Sequence, residues 1–167
     1  MKKKQLIRTK INQGFSLIEI VFAIGILTMS LVSVSMFYKK LLDVSQDTTR
    51  HIQSGYILEE GLEAIRLMRD TSWASQISTL STTTTYYFYW TGTSWIATKT
   101  PQVIEGTFTR SFTISDVYRD GSDNIASAGT YGTGTVKISI SNVWVRKAGR
   151  QNATDTAETY ITNLFTN

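Results

Sequence analysis

The rhythm of hydrophobic and polar positions changes three times along the chain, which separates four blocks. Residues 1–14, MKKKQLIRTKINQG, are basic and polar. Residues 15–38, FSLIEIVFAIGILTMSLVSVSMFY, are almost wholly apolar. Residues 39–73 are polar with apolar positions at helical spacing, and residues 74–167 are rich in Thr, Ser, Tyr and Gly with strand-like alternation.

The apolar block has 24 residues, close to the ~20 that cross a hydrocarbon core as helix. Helical periodicity continues beyond it. Ile52, Gly55, Leu58, Leu62, Ile65 and Met68 recur at spacings of three and four, which places them on one helix face. Glu59, Glu60, Glu63, Arg66 and Arg69 fill the remainder, with Glu59, Glu63 and the arginines spaced for ion pairs. One helix is therefore expected from about Phe15 to about Trp73. The run STLSTTTTYY reads as the loop that follows. Strands are expected at Tyr86–Trp90 and Ser94–Thr98 around Thr91-Gly92-Thr93, then at Thr107–Tyr118, Thr135–Val145 and Thr156–Phe165. The fold class is α+β, with the second half of the helix packed on an antiparallel sheet.

Charge changes the picture at one end only. The chain carries 17 basic and 13 acidic residues. Five of the bases, Lys2, Lys3, Lys4, Arg8 and Lys10, lie in the first block, which leaves 12 against 13 in the rest. The basic character thus belongs to a short tail and not to a nucleic-acid-binding surface. Basic residues before the apolar block predict a cytoplasmic N-terminus and export of everything after Tyr38. The 167 residues suffice for one domain with a modest core. There is no cysteine, which excludes disulfides, thiolate metal sites and cysteine nucleophiles. His51, the only histidine, reads as a solvated side chain. No nucleophile, base or metal set converges, so neither enzymatic activity nor a cofactor is expected.

Three readings compete for the apolar block. A cleaved secretory signal fits the basic start and the small-x-small site Ser33-Val34-Ser35. The run is longer than such signals, however, and contains a carboxylate, Glu19. A plain membrane anchor leaves Glu19 unexplained. The third reading accounts for both the carboxylate and the junction. Gly14-Phe15-Ser16-Leu17-Ile18-Glu19 before a long apolar run resembles the class III leader of type IV prepilins and pseudopilins. The resemblance implies a pilin-like fold and cleavage after Gly14 by a prepilin peptidase. It further implies methylation of the new amino terminus, Phe15, and an assembly role for Glu19. The implied partners are other pilin subunits, the peptidase, an inner-membrane assembly platform and, before assembly, membrane lipid. An extracellular filament follows. The stretch LEEGLEAIRLMRDTSW is similar to segments of minor pilins, and so is the C-terminal order of strand, basic turn RKAGRQNATD and strand. The implied function is therefore a structural subunit of a type IV pilus, a minor one. The alternatives are a pseudopilin of a secretion or DNA-uptake machine and a pilus-borne adhesin or DNA receptor. Many major pilins carry a proline where this chain has Met36, and its only proline is Pro101. The local helix melting attributed to that proline is not carried over, and Gly25 with Ser30, Ser33 and Ser35 offers a softer substitute.

Other candidates lie in the head. Tyr86, Tyr87, Phe88, Tyr89, Trp90 and Trp95 could stack on sugar or single-stranded DNA, but alternation sends about half of them to the core. Arg119 to Asn124 reads as a turn; it lacks the spaced acids of a calcium loop. Arg146, Lys147 and Arg150 form a small basic loop able to touch nucleic acid. Asn152-Ala153-Thr154 matches a glycosylation sequon.

Overall fold

The computed structural model describes residues 14–146 and 151–164. The chain divides into two units, Met1–Asp47 and Thr48–Asn167, and the long helix α1 (Leu17–Thr71) runs through the division.

In the first unit the Ser16 carbonyl accepts from the Glu19 and Ile20 amides at 3.0 and 3.2 Å, which opens α1. The helix then presents its apolar side chains outward, from Leu17 through Val44. By length and composition it can cross a membrane. Its hydroxyls are satisfied within the helix. Thr28 donates to the carbonyl three residues back at 2.9 Å. Ser30, Ser33 and Ser35 donate to carbonyls four residues back at 2.8–2.9 Å. Such back-bonding hides polar groups from hydrocarbon and weakens the local ladder.

In the second unit α1 lies on a seven-stranded antiparallel sheet. Its strands are β1 (Tyr86–Trp90), β2 (Trp95–Thr98), β3 (Val103–Ile104), β4 (Phe108–Arg119), β5 (Ile125–Ala126), β6 (Thr130–Trp144) and β7 (Ala153–Thr162). The order is β2-β1-β4-β6-β7, with β3 and β5 added to β4. The architecture is pilin-like. The core joins Leu58, Ala64, Ile65 and Met68 of α1 to Phe88, Phe112, Ile114, Ile138, Ile140 and Ile161 of the sheet. Each large apolar side chain buried there contributes about 1.5–3 kcal/mol.

The helix face differs from the expected stripe. Ile52 and Gly55 are exposed, and Ser54, Gly61 and Ala64 are buried instead. Small residues let the helix approach the sheet. A Cβ on Gly61 would stand 3.0 Å from Arg110 Cδ and 3.3 Å from Ile140 Cδ1. The helix also stops earlier, at Thr71, because Ser72 is extended (φ −171°, ψ 109°) and caps a separate turn, α2 (Trp73–Gln76). The last strand begins at Ala153 and ends at Thr162, not at Thr156 and Phe165; Phe165 lies outside the described residues.

Among the described residues, the buried positions start at Ser54. A fragment beginning near Asp43 is therefore expected to fold as a monomer in water, checked by circular dichroism and sedimentation. An unfolded fragment beside a folded full-length chain would make the apolar segment part of the domain.

Candidate functional site

Glu19 is the only charge within the apolar segment 15–38, and it sits in the first turn of α1. It shares a surface with Phe15, Ile20, Ala23, Ile24 and Leu27. Phe15 is 80 % exposed and Glu19 is exposed. Among the described residues no ion pair involves Glu19. Acidic side chains are favoured near a helix N-terminus, where the backbone amides carry partial positive charge. That interaction is modest, and in hydrocarbon a carboxylate still needs a full cation.

The sheet-bearing unit holds a polar layer that sequence reading did not single out. Arg110 projects from β4 toward α1 and is 3 % exposed. Its Nη1 donates to the Ile57 carbonyl at 2.6 Å and to Glu60 Oε2 at 3.0 Å. Its guanidinium carbon lies 4.6 Å from the Phe88 ring centre and 5.5 Å from that of Trp95. Burial pushes the Arg110 pKa down from its ordinary value, and Glu60 opposes that shift. Opposite Arg110 in the β4–β6 register stands Asn142, fully buried, whose Nδ2 donates to the buried Ser54 Oγ at 2.9 Å. Three hydrogen bonds from two side chains thus tie α1 to two neighbouring strands. Their sequence signal is parity: Arg110 falls among inward Phe108, Phe112 and Ile114, and Asn142 among inward Ile138, Ile140 and Trp144.

His51 is not simply solvated. Its Nδ1 lies 3.1 Å from Asp155 Oδ1 on β7, and its ring meets Trp144 edge-on at 4.9 Å. Arg146 Nη2 approaches His51 Nε2 at 3.5 Å. Lys147 and Arg150, the other members of the basic loop, lie outside the described residues. The expected helix-surface ion pairs are partly rearranged: Arg66 does pair with Glu63, whereas Arg69 pairs with its neighbour Asp70. Of the aromatic cluster, Tyr86 and Phe88 are buried, while Tyr89 and Trp90 are about half exposed. Trp90 and Trp95 contact each other at 5.3 Å. In the sequon, Ala153 is buried at the start of β7.

The 120–124 segment is a turn closed on its own carboxylate. Asp120 Oδ1 accepts from the Ser122 and Asn124 amides at 2.8 and 2.9 Å. The Asn124 and Ser122 amides lower the Asp120 pKa below the ordinary aspartate value. A depressed carboxylate contributes stability above its unfolded pKa and loses it as pH falls through the folded value. The Ser122 and Asn124 amide resonances are therefore expected to titrate with a midpoint below that ordinary value. A midpoint at or above that value would mean that the turn does not hold Asp120 in solution. No group of three or more His, Cys, Asp or Glu residues able to hold a metal occurs among the described residues.

No family model, no curated protein and no solved structure matches the chain.

Proposed function

We propose that the chain is a structural subunit of a type IV pilus-like filament, a minor one, and acts by assembly without catalysis. The observation that carries this reading is a bare apolar helix with one carboxylate in its first turn, in a chain whose other unit is a pilin-like helix on a sheet.

On this reading the peptidase cuts between Gly14 and Phe15, and Phe15 becomes a methylated amine. A carboxylate at bilayer depth is disfavoured by roughly 2.5–3.5 kcal/mol, so Glu19 needs a cation there. Phe15 stands four residues before Glu19, about 6 Å along the axis once Phe15 and Ser16 join the helix. That distance permits pairing within one chain, and it equally permits pairing with the amine of an adjacent subunit. A neighbour whose stagger brings its amine to Glu19 is rewarded, and other staggers are not. Glu19 then selects register, the best-attested use of buried polar groups. Before assembly the apolar helix stays in the inner membrane with the head exported.

Processing tests the proposal. Mature protein from the native host is expected to begin at Phe15 with a methylated amine, read by intact mass and N-terminal sequencing. A mature start at Met36 would instead identify an ordinary secretory signal and end the filament reading.

A further inference from the structure

Strand β7 closes one side of the sheet. Among the described residues it pairs with β6 alone. Its register with β6 runs without interruption from Ala153 to Thr162, opposite Trp144 to Thr135. The Asn163 amide donates to the directly opposed Gly134 carbonyl at 2.8 Å. In an antiparallel ladder, opposed residues alternate between pairs that exchange both backbone bonds and pairs that exchange none. Counting back from Asn163, the odd-numbered residues of β7 bond to β6. Thr154, Thr156, Glu158, Tyr160 and Thr162 therefore turn their N–H and C=O groups outward. The open edge is about 33 Å long at roughly 3.3 Å per residue.

Open edges of this length are ordinarily guarded by proline, an outward lysine, a bulge or a covering loop. The β7 sequence ATDTAETYIT contains no proline, lysine, arginine or glycine, and its register shows no bulge. The opposite border strand, β2, has only four residues. The charge of the edge identifies what fits it. Asp155 and Glu158 are its only charged residues. Asp155 faces the helix side and is engaged by His51. Glu158 remains 55 % exposed although Lys137 of β6 touches it at 2.8 Å. A second copy of β7, antiparallel and with all five outward residues paired so that 154 faces 162, would set Glu158 against Glu158, which is unfavourable for directly opposed like charges.

We propose that the β7 edge is a docking surface for an extended segment of another polypeptide, which adds a strand to the sheet and carries lysine or arginine opposite Glu158. Backbone hydrogen bonds to the five outward residues supply affinity, and Glu158 supplies the charge preference. The surface lies wholly in the sheet-bearing unit, so the proposal stands apart from the filament reading.

The test uses the isotope-labelled full chain in detergent micelles and two synthetic decapeptides of alternating threonine and valine. One peptide carries a central lysine and the other a central glutamate. The lysine peptide is expected to shift the amide resonances of 154–162 saturably and to bind about tenfold more tightly than the glutamate peptide. Thr156→Pro removes one outward N–H and leaves every bond to β6 in place, since proline is tolerated on an edge strand. It is expected to abolish binding while the spectrum of β4 and β6 is retained. Glu158→Gln keeps the edge and is expected to reduce the preference between peptides to under about threefold. The proposal is overturned if neither peptide shifts β7 resonances. It is also overturned if Thr156→Pro binds like wild type, or if the shifts map to another surface or reflect self-association of the chain.

Discussion

Glu19→Ala is expected to leave the chain inserted and cleaved but absent from filaments. Insertion does not suffer, because the substitution removes a charge from an apolar span. Cleavage persists because the Gly14–Phe15 junction is unchanged. Assembly fails because no carboxylate remains to reward a neighbour's amine at the correct stagger. Breaking a buried ion pair from one side typically costs about 3–5 kcal/mol, and about 1.4 kcal/mol already shifts an equilibrium tenfold. The ratio of Glu19→Ala protein in sheared filaments to that in membranes is therefore expected to fall by more than tenfold. Glu19→Gln should fail nearly as far, because it keeps the shape and the hydrogen bonding but loses the charge. Wild-type incorporation of both variants would remove the register role, except for a subunit confined to filament tips, which has no earlier neighbour above it.

The second large effect is expected from the half-exposed partner of a buried cation. Glu60→Ala leaves Arg110, 3 % exposed, without its carboxylate. The Ile57 carbonyl and the faces of Phe88 and Trp95 remain, but they do not neutralise a guanidinium. A destabilisation of about 3 kcal/mol is expected, at the low end for a stranded buried charge because Glu60 itself is half solvated. Arg110→Met keeps most of the stem packing and loses the charge together with its need for a partner. It should cost less, about 1–2 kcal/mol, chiefly from the lost hydrogen bond to the Ile57 carbonyl, which keeps its place in the helix ladder. The double variant should resemble Arg110→Met alone, which makes the pair strongly non-additive. Urea unfolding followed by tryptophan fluorescence reads all three. A Glu60→Ala change under about 0.5 kcal/mol would show that Arg110 is solvated by other means.

Strand positions were legible where side-chain alternation is strong. Phe108, Phe112 and Ile114 mark β4, and Val136, Ile138 and Ile140 mark β6. Hydropathy misled where a strand's inward face turns polar. Val143 and Val145 extend the apolar look of β6, yet they have outward parity, and the inward positions are Asn142 and Trp144. The same happened on α1. Apolarity selected Ile52 and Gly55, whereas the sheet lies against Ser54, Gly61 and Ala64, since close packing favours small volume over hydropathy. The strands β3 and β5 have two residues each, too few for any periodic signal. Glu19 was legible for the opposite reason: a lone acid in an apolar helix is conspicuous in the sequence and is exposed on the helix surface. The contact of His51 with Asp155 spans 104 residues of sequence and has no local signature.

Surface filaments sheared from the native host and analysed by intact mass test the central claim most directly. The account predicts this chain in the filament fraction, starting at Phe15, methylated, and present at fewer copies than the principal subunit. A chain found only in membranes of filament-bearing cells, or one that still carries residues 1–14 in the filament fraction, would contradict it.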